Sequence, residues 1–344
     1  MTMIAEIEDA VRRKQTAPVE DPVLAHMDFP LRRIYYPLGF PVEFATNSDE
    51  ILDVVAQSWS GYPKLFDTPP IQIHIGMFEG ELSACSSPPS CRMQQGILTN
   101  IADAENYSVC DLTRGISTVW VTRATLAHLD YLRYCFLDAA VLCQLVTRHS
   151  TAIHGACVAR NGKGILLCGD SGAGKSTLSY ACAQAGWTYI TDDASCLVLD
   201  RKDRMVVGNC NQARFRPPAV EFFPELHGIE VTQRIGMGKP SIEFCTTPQR
   251  HIPRAHSAHI EQIVFLNRNT GARQELVPYS KEVAGHFMRG ALYGCCGVEI
   301  QARQDAAIDN LLEVNVLELC YQDLGWAVER LEKLAQGKLQ DRNL

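Results

Sequence analysis

The stretch Gly169-Asp170-Ser171-Gly172-Ala173-Gly174-Lys175-Ser176, followed by Thr177, decides how this chain is organised. It fits the pattern G-x-x-x-x-G-K-S/T of a phosphate-binding loop. Its glycines let the backbone curl so that successive N–H groups face phosphate oxygens. In such a loop the lysine reaches the β- and γ-phosphates of a nucleotide, and the hydroxyl that follows it holds Mg²⁺. The pattern therefore predicts ATP and Mg²⁺ as ligands of this stretch.

The segments on either side of the loop have the character that this motif requires. Residues 164–168 are apolar and strand-like, and residues 177–185 carry apolar side chains at helical spacing. A strand, a glycine loop and a helix in this order form the usual phosphate site, to which the helix adds the positive end of its dipole. The alternative, a glycine-rich turn with a purely structural role, is much less favoured in this context.

Composition places the chain among water-soluble globular proteins. It has 344 residues, enough for two domains, with 46% hydrophobic residues, 21% charged residues and a formal net charge of −7. The negative charge argues against non-specific nucleic-acid binding. No apolar run approaches the roughly 18 residues of a membrane-spanning helix, and the charges before residue 22 are unlike a secretory signal. We expect a cytoplasmic protein with neither nucleic-acid nor membrane partners.

The pattern of predicted strands and helices divides the chain into two parts. Residues 1–148 contain short strands and helices, the last helix running from Thr125 to Thr147, and they carry no motif with evident chemistry. We interpret them as an α+β accessory domain of unknown role. Residues 149–340 begin with a strand, and Asn161-Gly162 then predicts a hairpin that leads into the loop strand. The predicted class is α/β, with a P-loop domain in this second part.

Two further pieces of sequence can be placed beside the loop. His154 lies on the strand before the hairpin, and Asp192-Asp193 ends the strand after the loop helix. If these two strands flank the loop strand, their polar side chains converge on the γ-phosphate. One carboxylate, with Ser176, would then hold the metal, and the other would accept the proton of an attacking hydroxyl. In the alternative interpretation His154 is a satisfied core residue and the aspartates form a turn or helix cap.

Together these residues resemble the HPr kinase/phosphorylase family, specifically its C-terminal catalytic domain. His154 precedes Lys175 by 21 positions and Asp193 follows it by 18, as in the family. The resemblance implies that His154 and Asp193 are catalytic, with Asp193 as the base, and we count Lys175 with them. It also implies ATP in the loop and Mg²⁺ on Ser176, with Asp192 as the favoured second ligand. The loop and the paired aspartates are also similar to ATP-dependent phosphoenolpyruvate carboxykinase.

The resemblance is tight from His154 to Leu199 and loose over the rest of the second part. Where the family has a Glu-Ile-Arg-Gly-type segment, this chain has residues 212–219, with no acid before Glu221. This segment is similar to divergent HPr kinase-related proteins, so the phosphate acceptor and the phosphorylase reaction stay open. Three cations further along are weaker candidates for phosphate or substrate contacts: Arg214, Arg216 and Lys239. The family's hexamer makes a homo-oligomer plausible.

We predict an ATP- and Mg²⁺-dependent kinase of the HPr kinase/PEP carboxykinase type, transferring the γ-phosphate to a hydroxyl of a protein serine or a small molecule. Two other functions stay open. One is a non-catalytic regulatory protein that binds ATP, and the other is a carboxykinase-like or ATP-hydrolysing enzyme.

Overall fold

The computed structural model describes residues 4–13, 27–80, 89–232, 239–246, 252–268, 273–290 and 297–338. The first part of the chain forms a mixed sheet with the strand order β1-β2-β3-β7-β6-β5-β4, in which β2, β3 and β7 run parallel. Its strands are β1 Leu31–Tyr35, β2 Val42–Thr46, β3 Ile71–Phe78, β4 Ser90–Gln94, β5 Ile97–Ile101, β6 Tyr107–Asp111 and β7 Ile116–Thr122.

Helices α1 Ile4–Arg12 and α2 Asp49–Trp59 belong to this part. The start of α2 follows from its cap, because the Ser48 hydroxyl accepts a hydrogen bond from the Ile51 N–H at 3.4 Å. Asp49 and Glu50 in the first turn also stabilise the helix, because their negative charges interact favourably with the positive end of the helix dipole.

The single helix predicted from Thr125 to Thr147 is wrong in detail. The chain instead passes through a 3₁₀ turn, the short helix α3 Leu129–Tyr131, a π-helical segment Leu132–Leu137 and α4 Asp138–Arg148. In the π-helical segment the Asp138 N–H bonds to the carbonyl of Arg133, five residues earlier. This wider turn places Arg133 and Asp138 on the same side of the helix, where an α-helix would rotate them apart.

The second part forms another mixed sheet and a small antiparallel one with the order β13-β15-β14. Its strands are β8 Ser150–Arg160, β9 Lys163–Cys168, β10 Thr188–Thr191, β11 Ala194–Val198, β12 Met205–Val207, β13 Gln212–Phe215, β14 Val231–Thr232, β15 Ser241–Cys245, β16 Ser257–Asn267, β17 Glu275–Pro278 and β18 Asn315–Cys320. Its helices are α5 Lys175–Gln184, α6 Lys281–Arg289, α7 Val298–Leu311 and α8 Leu324–Ala335.

Helices cover both faces of the larger second sheet. Leu178 of α5 and Leu331 of α8 pack on one face with Leu167, and Met288 of α6 and Ile308 of α7 pack on the other. Each such side chain, when fully buried, contributes about 1.5–3 kcal/mol through loss of apolar surface to water. This mixed α/β architecture agrees with the predicted class.

The predicted hairpin between β8 and β9 is confirmed. Arg160 pairs with Lys163, and the two turn residues between them, Asn161 and Gly162, have φ values of +52° and +78°. Positive φ at both positions is the geometry that asparagine and glycine tolerate best, and it matches the twist of the two strands. The turn thereby sets the register that delivers β9 to the loop.

The expectation that the strands of His154 and Asp192-Asp193 flank the loop strand is confirmed for the first strand and wrong for the second. Strand β8, which carries His154, pairs with β9, whereas β10, which leads to the two aspartates, pairs with β8 instead. Strand β8 itself is the central one, because Val158 pairs with Ile165 of β9 on one side and with Tyr189 of β10 on the other. The second neighbour of β9 is β16, which runs parallel to it. After β10 the chain bends at the two aspartates and continues along β8 as β11.

The two parts of the chain share buried surface. Cys196 and Val198 of β11 and Val207 of β12 belong to the same apolar cluster as the side chains of the first sheet. A division at residue 148, between α4 and β8, remains a prediction. Across the described stretches of the chain, none of the helices is both long and apolar enough to cross a membrane.

Candidate functional site

The glycine loop connects β9 directly to α5, as its sequence predicts. Gly169, Gly172 and Gly174 have φ values of +138°, +97° and +95°, in the region that side chains disfavour. A Cβ at Gly174 would collide with the hydroxyl of Tyr321, which itself donates a hydrogen bond to the Ala173 carbonyl at 3.1 Å. Glycine at 174 is therefore required both by conformation and by the close approach of a neighbouring side chain.

Lys175 begins helix α5 and folds back over the loop. Its side chain is 7% exposed, and its Nζ donates to the carbonyl oxygens of Gly169 at 2.7 Å and Asp170 at 3.1 Å. Burial lowers the pKa of the ammonium group, and the negative charge of Asp193 opposes that shift. A phosphate placed in the loop would offer Lys175 stronger, charge-assisted hydrogen bonds than these neutral carbonyls do.

His154 and Asp193 form a direct pair beside the loop. The His154 Nδ1 lies 3.2 Å from Asp193 Oδ1, and both side chains are partly open to solvent. The hydrogen bond from His154 is the largest influence on Asp193, and it lowers the pKa of that carboxyl against the effect of burial. Asp193 is therefore held ionised and oriented, in a position that a bound molecule can reach.

Asp192 has a different environment from its neighbour. Its side chain is 6% exposed, and its Oδ2 accepts a hydrogen bond from the Arg214 N–H at 2.9 Å. Burial raises the pKa of Asp192 to about 6, although the hydrogen bonds from Arg214 and Ser176 act in the opposite direction. The two adjacent aspartates thus differ in pKa because one is buried and the other is paired with a histidine.

The contact between Ser176 and Asp192 bears on whether the site fits Mg²⁺. A hydroxyl and a buried carboxylate in contact offer two hard oxygen ligands, the kind this ion prefers. Among the residues that the structure describes, no group of three or more His, Cys, Asp or Glu could hold a metal ion. Mg²⁺ usually keeps several waters and binds through one or two carboxylates plus phosphate oxygens, so this small donor set fits it.

One cavity of about 530 Å³ brings most of the predicted site residues together. Those that line it are His154, Ser171, Gly172, Gly174, Lys175, Ser176, Thr177, Asp192 and Asp193. Gly169, Asp170 and Ala173 belong to the loop without lining the cavity. The volume falls within the range of about 300–1,000 Å³ typical of small-molecule pockets.

Several cations line this cavity in addition to Lys175. Arg214, Arg216 and Lys239, weak candidates in the sequence, all line it, and the last two each place a nitrogen 3.4 Å from Ser171 Oγ. Arg268 also lines it and was missed in the sequence. Its position just after the end of β16, which runs parallel to the loop strand, is the signal that could have identified it, because ligands bind at such strand ends.

Glu243 is a second residue that the sequence did not identify. Strand pairing places it opposite Arg214, whose Nε lies 3.6 Å from Glu243 Oε1 and donates to Ser241 Oγ at 2.6 Å. The other carboxylate oxygen accepts hydrogen bonds from Gln212 at 2.7 Å and from the Tyr134 hydroxyl at 2.9 Å. Glu243 lines neither cavity, so its contact with the site runs through Arg214, which lines both.

Comparison with known proteins gives partial matches. No protein-family model matches the chain. The HPr kinase/phosphorylases of Lacticaseibacillus casei and Lacticaseibacillus paracasei are each 30% identical to it over 164 residues, covering 42% of this chain and 49% of the relative. The chain therefore spans about half the length of the curated relatives it matches.

A solved structure, the Hpr(Ser) kinase/phosphatase from Coxiella burnetii, is 11% identical with a TM-score of 0.30. The match covers 56% of this chain and 99% of that one. We draw no conclusion about the fold from a match with this TM-score.

Proposed function

We propose that this chain, a divergent relative of the HPr kinase/phosphorylase family, is an ATP- and Mg²⁺-dependent phosphotransferase that acts on a hydroxyl group. The observation that carries the proposal is the placement of the His154–Asp193 pair in the same cavity as Lys175 and Ser176. A loop that only bound a nucleotide would not need an ionised carboxylate oriented beside the lysine. Phosphoryl transfer to a hydroxyl does need one, to orient the nucleophile and accept its proton.

In the proposed reaction, Lys175 and the loop N–H groups hold the phosphate oxygens. The acceptor oxygen bonds to the γ-phosphorus while its proton passes to Asp193, and ADP leaves with the electrons of the broken P–O bond. His154 orients Asp193 through their hydrogen bond. Mg²⁺ bound by Ser176 and Asp192 would neutralise phosphate charge. A carboxylate with a lowered pKa is a weak base, which suits a loose transition state that relies mainly on positioning.

Nucleotide binding is the first test of this proposal. Titration calorimetry with a non-hydrolysable ATP analogue and Mg²⁺ should show binding to the wild type and a loss of at least about tenfold in Lys175→Ala, because a charge-assisted contact is removed. Lys163→Ala is a matched control, since Lys163 is exposed on the hairpin away from the cavity. A wild type that binds no nucleotide would overturn the proposal.

Transfer is the second test, and it separates the proposal from the two other functions. The wild type is incubated with γ-labelled ATP, Mg²⁺ and a mixture of proteins and metabolites. A labelled acceptor supports a phosphotransferase. Release of labelled inorganic phosphate alone would indicate a hydrolase, and intact ATP would indicate a regulatory protein that only binds it.

A further inference from the structure

A second cavity of about 360 Å³ adjoins the candidate site. Asp192, Asp193 and Arg214 line both cavities, so these residues form the boundary between them. A molecule in the second cavity would therefore lie next to Asp193, at the border with the cavity that contains the glycine loop. Transfer requires the acceptor oxygen next to the γ-phosphorus with the proton-accepting carboxylate beside it, and Asp193 lies where the two cavities adjoin.

The first part of the chain builds the far wall of this second cavity. Trp59, Tyr62, Leu38 and Leu142 contribute apolar and aromatic surface, and Arg133 and Asp138 contribute charge. Mostly apolar walls with a few placed polar groups are typical of pockets for small molecules. The first part carries no recognisable catalytic motif, yet it shapes the space next to the proposed base.

The two charges come from the irregular stretch of helix described above. Because Asp138 closes a π-type hydrogen bond on Arg133, both residues face the same cavity. The Arg133 Nε donates a hydrogen bond to Ser58 Oγ at 3.0 Å, which orients the guanidinium group. The central carbon of the guanidinium group lies 5.5 Å from the centre of the Tyr134 ring. A cation and an anion side by side complement a carboxylate and an ammonium on one ligand. π-Helical turns are frequent at functional sites.

We propose that this second cavity binds the phosphate acceptor, and that the acceptor is a free amino acid whose side chain carries a hydroxyl. The proposal rests on the phosphotransferase function proposed above. Arg133 pairs with the carboxylate of the amino acid, Asp138 with its ammonium group, and the side-chain hydroxyl faces Asp193. The hydroxyl oxygen bonds to the γ-phosphorus of ATP, its proton passes to Asp193, and ADP leaves. The volume of about 360 Å³ suits such a ligand, lying near the small end of small-molecule pockets.

Binding of the acceptor is tested on the full chain by calorimetry with L-serine, L-threonine, L-homoserine and L-tyrosine, with and without the ATP analogue and Mg²⁺. We expect at least one of them to bind, and to bind at least about tenfold more weakly to Arg133→Gln and to Asp138→Asn. Arg92→Gln, an exposed arginine on β4, is the matched control and should bind as the wild type does.

Ligand analogues separate recognition from a merely structural role of the two charges. The amino alcohol that lacks the carboxylate should bind equally to the wild type and to Arg133→Gln. The hydroxy acid that lacks the amino group should bind equally to the wild type and to Asp138→Asn. A variant that had only lost packing would weaken all ligands alike, and that result would overturn the assignment.

Ala152→Phe fills the cavity from strand β8 and should abolish transfer to the amino acid while the ATP analogue still binds. If none of the amino acids binds, or if the label goes only to protein, the acceptor assignment is wrong while the phosphotransferase proposal stands. If no nucleotide binds, the proposed function fails, and amino-acid binding measured without nucleotide still decides whether the second cavity is a ligand site.

Discussion

His154 and Asp193 meet because strand β8 pairs with β11 in a register that sets His154 opposite Ala194. Asp193 is the residue before Ala194, so its carboxylate falls 3.2 Å from the imidazole although the two residues are 39 positions apart in the chain. The bend between β10 and β11 turns this carboxylate toward the glycine loop. Strand β8, through its pairings with β11 and with β9, thus joins a histidine, a carboxylate and the loop strand.

Asp193→Asn should abolish phosphoryl transfer while leaving nucleotide binding largely intact. The amide keeps the shape of the side chain but cannot accept the hydroxyl proton, and loss of such a group lowers rates by about 10²–10⁴-fold. Transfer is measured with γ-labelled ATP and binding by calorimetry. Asp53→Asn, on the exposed side of α2, is the matched control. Undiminished transfer in Asp193→Asn would remove this residue from the proposed role.

His154→Gln should move the acid limb of the pH–rate profile to higher pH. The hydrogen bond from His154 is the main cause of the lowered pKa of Asp193, so its loss raises that pKa. Because the reaction needs the ionised carboxylate, activity then disappears at a higher pH than in the wild type. The profile of kcat/KM between pH 3 and pH 8 reports the shift, because the lowered pKa of Asp193 places the wild-type limb below the ordinary aspartate value of 3.8. His128→Gln, at an exposed histidine, should leave the limb in place, and an unmoved limb in His154→Gln would contradict the pairing.

Local signals in the sequence were sufficient for the loop, the hairpin and the helix that follows. The phosphate-binding loop before Lys175 and the turn at Asn161-Gly162 both need backbone conformations that glycine and asparagine adopt easily. Such local signals can be recognised within a few residues of sequence. The order of strands around β9 had no such signal, since pairing between distant strands depends on the whole sheet. The structure accordingly differs in placing β8, and not β9, at the centre.

The residues missed in the sequence are those placed by distant pairings. Glu243 reaches Arg214 through the pairing of β13 with β15, and Arg268 reaches the loop through β16. Helix α7 was missed because buried Gln304 lies on its inner face with Ala307 and Ile308, which weakens the apolar stripe that predicts a helix. The π-helical turn at Arg133 has no recognised sequence signature, so the second cavity could not be predicted.

Gly174→Ala should destabilise the protein more than Gly172→Ala. Both glycines have φ near +95°, so each alanine carries backbone strain of about 1–2 kcal/mol. A Cβ at Gly172 meets nothing within 4 Å among the described residues, whereas one at Gly174 collides with the Tyr321 hydroxyl. Overpacking of this kind adds about 1–3 kcal/mol. The free energies of unfolding are measured by urea titration.

A double-mutant cycle isolates the collision from the strain. Tyr321→Phe removes the hydroxyl and leaves the ring carbon 3.6 Å from the added Cβ, which is an ordinary contact, while Arg268 Cδ stays 3.0 Å from it in both backgrounds. Gly174→Ala should therefore be less destabilising in the Tyr321→Phe background, with a coupling energy of about 1–3 kcal/mol. Equal losses in Gly172→Ala and Gly174→Ala, or no coupling, would show that the loop moves away from Tyr321.

His149→Phe should remove a loss of stability that the wild type suffers between pH 6.5 and pH 4. His149 stacks on Phe40 with ring centres 5.0 Å apart, and burial, with Arg148 and Arg303 nearby, lowers the pKa of the imidazole from 6.5 to about 4. In this window the unfolded chain binds a proton that the folded chain does not, so the free energy of unfolding falls as the pH falls. A shift of this size corresponds to about 3 kcal/mol, and partial exposure reduces it to about 1–3 kcal/mol.

Phenylalanine keeps the stacked ring at position 149 but does not titrate, so the comparison isolates the proton. Other groups also titrate in this range, and the difference between the two proteins is therefore the quantity to follow, by urea unfolding at pH 7, 5.5 and 4. The free energy of unfolding of His149→Phe should rise relative to that of the wild type as the pH falls. That of His128→Phe, at an exposed histidine, should not. A difference that stays constant with pH would mean that the pKa of His149 is the same in the folded and the unfolded chain, and it would contradict the prediction.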